Sequence, residues 1–279
     1  MNYRFTNLFL LLLITISAQN PAFGQNTTDV DPLQYADLAD LSVDAPIIVH
    51  ATVKRAVKIK GERALSAPPG TQRYYVEAET NALIRGSQGI AETIRYVVDL
   101  PLDGRGRAPK IKRKPFIIFA RSNQAGNGQL QLIARDAQIA WTPTRDTRVK
   151  AIVREIVSRN AAPAISRIGS SFHVPGTILG EGETQIFMET DNNVPISISV
   201  LSRDGQQKAW AVSLGEIVDE AARAPVRNTL LWYRLACFLP DDLPFDSLDG
   251  QSAENAAQAR RDYRMVLRDL GSCPRSRLM

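Results

Sequence analysis

The sequence predicts a mainly β plus α+β protein, a small N-terminal β-barrel followed by an antiparallel-sheet domain with C-terminal helices. Three observations carry this reading. From Pro46 onward, apolar residues recur with period two through five or six short segments parted by Gly- and Pro-rich turns. Helical spacing interrupts that alternation only around Val149–Val157, after which strands resume from Ile165. Three helical stretches then close the chain, beginning near Ser213. At 279 residues, 44% hydrophobic and 23% charged, the composition is that of a folded globular protein rather than a disordered or membrane-embedded one.

The N-terminus reads as an export signal. Arg4 precedes the apolar run Leu8–Ile16, and the small-residue exit Pro21-Ala22-Phe23-Gly24 leads to Gln25. The run is too short for a membrane span, so residues 1–24 are expected to be cleaved near Gly24/Gln25, leaving a periplasmic or secreted protein with no later transmembrane segment. No cysteine follows the cleavage site, which argues against a lipid anchor.

Residues 25–44 carry five acids and no base, and Leu33, Leu38 and Leu41 among Asp37, Asp40 and Asp44 suggest a short acidic helix or turn. Residues 45–160 reverse the sign, with 21 basic and 9 acidic side chains, net +12, whereas residues 161–279 carry 12 and 15. A basic first domain, residues 45–143, followed by a mildly acidic second one, residues 144–279, is the simplest division.

Within the first domain, Ile47, Val49, Ala51 and Val53 alternate with Ile48, His50, Thr52 and Lys54. The next strand sets Tyr74, Val76, Ala78, Thr80, Ala82 and Ile84 against Tyr75, Glu77, Glu79 and Asn81, and a third carries Ile94, Tyr96, Val98 and Leu100. Pro115–Ala120 is a continuous apolar run, suited to a strand covered on both sides. A turn over residues 123–128 leads to Leu130, Leu132 and Ala134, and Ile139 with Trp141 completes the set. The first strand Ile47–Val57, the second strand ending in Leu83-Ile84-Arg85-Gly86, and the apolar strand Phe116–Ala120 resemble the OB-like barrel of netrin-like and TIMP-like modules. Those modules often begin with a cysteine, which this chain lacks there, so neither their protease inhibition nor their disulfide pattern is implied.

Thr144 is the expected N-cap of the linking helix, which carries Val149, Ile152, Val153, Ile156 and Val157 and ends near Asn160. Strands are expected over Ile165–Val174, Thr184–Thr190, Pro195–Ser202 and Lys208–Val212, making an antiparallel meander. Ser213 and Glu216 have capping-box spacing for a helix carrying Leu214, Ile217, Val218 and Ala221. Asn228 is the expected cap of Thr229–Leu239, and Ser252 that of a last helix ended by Gly271. In an oxidising compartment Cys237 and Cys273 are expected to form one disulfide, stapling these helices.

Chemistry-bearing motifs are sparse. His50 is a lone strand histidine. His173 follows Ser170 and Ser171, and a serine-hydrolase set of Ser171, His173 and an acid such as Glu189 is one reading, although the G-x-S-x-G elbow is absent. Asp241, Asp242, Asp246 and Asp249 lack the pattern of a calcium loop, and Gly180-Glu181-Gly182-Glu183 places acids where a phosphate would sit, so neither metal nor cofactor is expected. Arg105, Arg107, Lys110, Lys112, Arg113 and Lys114 form the densest charge run, suited to a phosphate, sulfate or carboxylate polymer. A solvated loop whose cations guard a strand edge is its other reading. Nucleic acid is not an expected partner, since Tyr75 is the one clear aromatic on the mixed faces. The function expected is therefore a non-enzymatic binding protein of the bacterial-type cell envelope, recognising an anionic polymer or a partner protein. Its alternatives are a hydrolase using His173 and a structural assembly component.

Overall fold

In the computed structural model, residues 31–123, 128–215 and 223–277 are described, so the expected signal segment 1–24 lies outside the described residues, as does most of the helix expected over Leu214–Ala221. Two antiparallel sheets and four α-helices make up the described part of the unit Pro32–Met279.

The first sheet holds β1 (Ile47–Lys58), β2 (Thr71–Arg85), β3 (Thr93–Pro101), β4 (Pro115–Ser122), β5 (Leu130–Leu132) and β6 (Gln138–Ala140) in the order β3-β2-β1-β4-β5, with β6 also on β4. β4 explains how this sheet is packed. Its alternate residues Phe116, Ile118 and Ala120 enter one apolar core with Val49, Val53, Val76, Ile94, Tyr96 and Val98. The intervening Ile117 and Phe119 enter a second core. A strand buried on both faces needs a continuous apolar run, and Pro115–Ala120 provides it. The barrel expected from the sequence is not completed as a continuous ladder: β3 and the approach to β5 meet at one parallel bridge, Arg95 to Gln129, where the Arg95 N–H donates to Gly128 O at 2.7 Å.

The second sheet is the expected meander, β7 (Ile165–Pro175), β8 (Gly182–Thr190), β9 (Ile196–Ser202) and β10 (Ala209–Leu214), in the order β10-β9-β8-β7. Its inner face, with Ile168, Ile186, Met188, Ile198 and Val200, joins Ile117 and Phe119 of the first sheet in the larger core. The helices α1 (Tyr35–Asp44), α2 (Pro143–Ile156), α3 (Leu230–Ala236) and α4 (Ala253–Leu270) complete that core through Leu38, Leu41, Ile152, Leu235, Tyr263 and Val266. Among the described residues no helix is long and apolar enough to cross a membrane.

Three helix boundaries differ from the sequence expectation. Thr142, not Thr144, caps α2, its hydroxyl accepting from Arg145 N while Pro143 takes the first helical position, where its missing N–H costs nothing. Thr229, not Asn228, caps α3, because Asn228 has φ 61° and its neighbour's hydroxyl reaches Trp232 N. Ser213 is no cap at all. It lies in β10 opposite Ser197, since the ladder runs two residues past Val212. Ser252 caps α4 and Gly271 ends it at φ 70°, both as expected. Cys237 and Cys273 form the expected disulfide, with Cα atoms 5.2 Å apart.

The acidic segment forms α1, whose carboxylates receive the C-terminal tail. Asp37, fully buried, accepts from Gln34 N at 2.7 Å, Ser276 N at 3.0 Å, Ser276 Oγ at 2.5 Å and Arg277 N at 3.0 Å. Burial alone pushes its pKa up, but these hydrogen bonds outweigh it and hold the carboxyl below the usual range. Asp40 pairs with Arg275 at 2.7 Å and accepts from Tyr233 OH at 2.6 Å, while Arg277 makes a two-pronged pair with Asp136 at 2.6 Å.

Candidate functional site

The gap left where β3 and β5 part is an open cleft of about 420 Å³. The pleat determines what lines it. On β2 and β3 the residues Val76, Ala78, Ile94, Tyr96 and Val98 point into the sheet's own core, so their neighbours point out. Register then stacks three outward rungs: Arg73 beside Asp99, Tyr75 beside Val97, and Glu77 beside Arg95. The outer rungs are ion pairs. Arg73 grips Asp99 with two prongs at 2.7 and 2.8 Å and also donates to Ser66 Oγ, and this pairing raises the guanidinium pKa. Arg95 stands 3.5 Å from Glu77. Between them lies an apolar rung, Tyr75 at 37% exposure and Val97 at 43%.

The opposite wall is the continuous stretch from Gln129 to Arg135, with Arg121 of β4 beside it. Arg121 donates to Gln131 Oε1 at 3.2 Å, and Arg135 is exposed without an ionic partner among the described residues. Four arginines and one aspartate thus line the cleft. With Arg73 set against Asp99 and Arg95 against Glu77, Arg121 and Arg135 are the lining cations that face no carboxylate among the described residues, and guanidinium groups hold carboxylate, sulfate or phosphate through paired N–H donors. A second cleft of about 690 Å³ lies between Leu83 with Gly86–Ile90 on one side and Ser122, Asn123 and Gly128–Leu130 on the other, and has no charged lining residue among the described residues.

The basic run expected to bind anions is elsewhere. Arg105, Arg107, Lys110, Lys112, Arg113 and Lys114 are all exposed and line neither of these clefts. The loop is nonetheless well anchored: Ile111 is buried, Arg113 N donates to Val53 O at 2.8 Å, and the Asp103 carboxylate accepts from Arg105 N and Arg107 N.

His173 sits within a buried relay. Thr184 Oγ1 donates to Asp262 Oδ2 at 2.6 Å, which spends its only proton, so His173 Nδ1, 2.9 Å away, must donate to Thr184 and carry the ring's hydrogen. Asp262 also takes Lys208 Nζ and, at 2.9 Å, Gln258 Nε2. The free nitrogen, Nε2, is pressed against Gly182, where even a Cβ would stand 3.0 Å from it. Ser171 shares this face of the sheet, but it is 3% exposed, and Glu189 is paired with Arg167 at the far end of β8. The residues of the hydrolase reading are therefore not gathered around an open nucleophile. His50 lies on β1, stacked on Trp141 with ring centroids 4.8 Å apart.

Burial holds both histidines below their ordinary pKa of 6.5; for His173 the Asp262 charge opposes this, and Lys208 and Arg261 add to it. Each therefore binds its proton more weakly folded than unfolded. Their contribution to stability is complete above about pH 6.5 and is lost as pH falls through the folded-state values. Urea midpoints measured from pH 8 to pH 5 are expected to fall below pH 6.5, and the fall should flatten in a variant carrying His50→Phe and His173→Asn. An unchanged slope in that variant would show that other groups set the dependence.

No protein-family model matches the chain, and no curated protein sequence matches it either.

Proposed function

We propose that this chain is an exported, non-enzymatic binding protein of the bacterial-type cell envelope, and that it takes an anionic ligand in the arginine-lined cleft between β3 and β5. The observation that carries this reading is the convergence of Arg95, Arg121 and Arg135 around an exposed Tyr75–Val97 rung. Arginine beside an aromatic suits an anionic group borne on an apolar or extended framework. The disulfide accords with an oxidising compartment. What supports an OB-like reading of the six-stranded sheet is its strand order together with the parallel bridge that joins its two ends. On this reading His173 is part of a structural relay, and the loop from Arg105 to Lys114 contributes long-range attraction rather than contacts.

The test is binding to immobilised anionic polymers and to solubilised envelope fractions across a salt series. A variant carrying Arg95→Ala, Arg121→Ala and Arg135→Ala is expected to bind at least tenfold more weakly at about 0.15 M salt, with a shallower salt dependence. A second variant with Lys110, Lys112, Arg113 and Lys114 changed to Ala should lose less than the first. Wild-type binding by the cleft variant would remove the cleft from consideration, and loss confined to the second variant would return the site to the loop.

A further inference from the structure

The outward surface at the cleft is continuous from β2 across to β4. Arg95 and Gln129 are partners in the parallel bridge that joins β3 to the approach of β5, and β5 comes within 8 Å of β3, Cα to Cα. Leu130 and Leu132 turn into the core of the first sheet, so Gln129 and Gln131 turn outward with Arg95 and Val97. Gln131 in turn stands opposite Arg121 on β4. One outward row therefore runs Tyr75, Val97, Gln131, Arg121 over β2, β3, β5 and β4. At the usual strand spacing it is roughly 14 Å long.

Chemistry changes along this row in a definite order. It begins on an exposed aromatic and aliphatic pair, passes an amide and ends on a guanidinium. Arg121 Nε donates to Gln131 Oε1 at 3.2 Å, which orients the guanidinium while its terminal N–H groups face no carboxylate among the described residues. The rows on either side carry acceptors, with Asp99 beside Arg73 on one and Glu77, Arg95 and Gln129 on the other. Carbonyl and carboxylate oxygens offer nothing to a phosphodiester or a sulfate, which bring acceptors only, and Asp99 and Glu77 repel a polymer charged at every unit. Amides suit hydroxyls, which donate as well as accept.

Resting on the cleft as an anion site, we infer that its ligand is an acidic polysaccharide, with carboxylates spaced along an otherwise neutral chain of sugar rings. One ring lies on Tyr75 and Val97, its C–H face against the aromatic. Hydroxyls of the next reach the amides of Gln129 and Gln131. Arg121 holds the carboxylate beyond them, with Arg135 lining the same cleft. An aromatic and a cation set apart on one row select a ligand whose apolar face and charge are separated in the same way along its length.

The probe is an eight-unit oligosaccharide alternating a uronic acid with a neutral hexose, titrated calorimetrically at about 0.15 M salt. Its carboxyl-reduced form, a fully sulfated oligosaccharide of the same length and an eight-residue peptide alternating glutamate and serine are the comparisons. The parent is expected to bind, and each comparison to bind at least tenfold more weakly. Tyr75→Ala should weaken the parent about tenfold, whereas Tyr75→Phe should stay within about twofold, since stacking uses the ring face and not the hydroxyl. Suppose instead that the three anionic probes bind alike, ignore Tyr75→Ala and are lost in the variant carrying Arg95→Ala, Arg121→Ala and Arg135→Ala. The polysaccharide is then wrong and the anionic-ligand site stands. Tightest binding of the peptide likewise overturns the polysaccharide and keeps the site. Parent binding unchanged in the arginine variant, or no binding of any probe, overturns both.

Discussion

Asp37→Ala is expected to lower stability by about 3–5 kcal/mol, because it leaves several hydrogen-bond donors buried with nothing to receive them. The carboxylate is fully buried and accepts from Gln34 N at the head of α1 and from three donors on Ser276 and Arg277. Removing it exposes no alternative acceptor to those groups. The tail should release from α1 before the rest of the protein unfolds, so limited proteolysis near Ser276 should accelerate more than the shift in the urea midpoint would suggest. Asp37→Asn is a sharper version of the test: it keeps the shape but turns an amide donor toward other donors, and it should be nearly as damaging. A variant within about 0.5 kcal/mol of wild type would mean that the tail contributes little to holding the fold.

The second large effect is reduction of the disulfide between Cys237 and Cys273, or Cys273→Ser. The bridge spans a separation of 36 residues. In the loop-entropy model such a closure stabilises by about 4 kcal/mol before native-state strain is considered. Its position makes a more specific expectation. Cys273 stands just ahead of Arg275, which pairs with Asp40, and of Ser276, which reaches Asp37. The bridge therefore delivers the tail to α1 at a high effective concentration. Asp37→Ala and Cys273→Ser are expected to be non-additive, the second costing less once the first is present, and a double-mutant cycle in urea measures the coupling. Strict additivity would separate the staple from the clamp.

The elements that were legible in the sequence are those with local causes. The period-two run through Ile47–Val53 and the continuous run Phe116–Ala120 identify strands because burial on one face or two leaves different patterns. Ser252 and Gly271 bracket α4 because cap chemistry acts within one turn. The cap errors at Thr142 and Thr229 are local too. Each has a competing hydroxyl or amide within two residues, and only the backbone angles decide between them. Ser213 illustrates a different failure: its capping-box spacing is real, but pairing with Ser197 on β9 holds it in the sheet.

The candidate site was only partly legible. Tyr75 stands out as an aromatic on a mixed face, and alternation along Thr93–Pro101 already turns Arg95, Val97 and Asp99 outward. What alternation cannot supply is their company. Arg121 and Arg135 reach the same cleft only because β5 pairs with β4 and then parts from β3 after a single bridge. The charge run at Lys110–Lys114 drew attention by its density in the sequence, yet density along a chain is not convergence in space.

The sequence by itself determined the class of most of the described strands and helices, the pairing of its two cysteines, and the change of sign from an acidic head to a basic first half. These follow from periodicity, side-chain chemistry and simple count, all of which act over a few residues or need no geometry. The tertiary structure decided the rest: that the acidic head is the buried seat of the C-terminal tail, that His173 is enclosed behind Gly182, and that scattered arginines line one cleft. Those outcomes depend on register and on contacts between residues far apart in the chain, where a shift of one residue would turn every side chain to the opposite face.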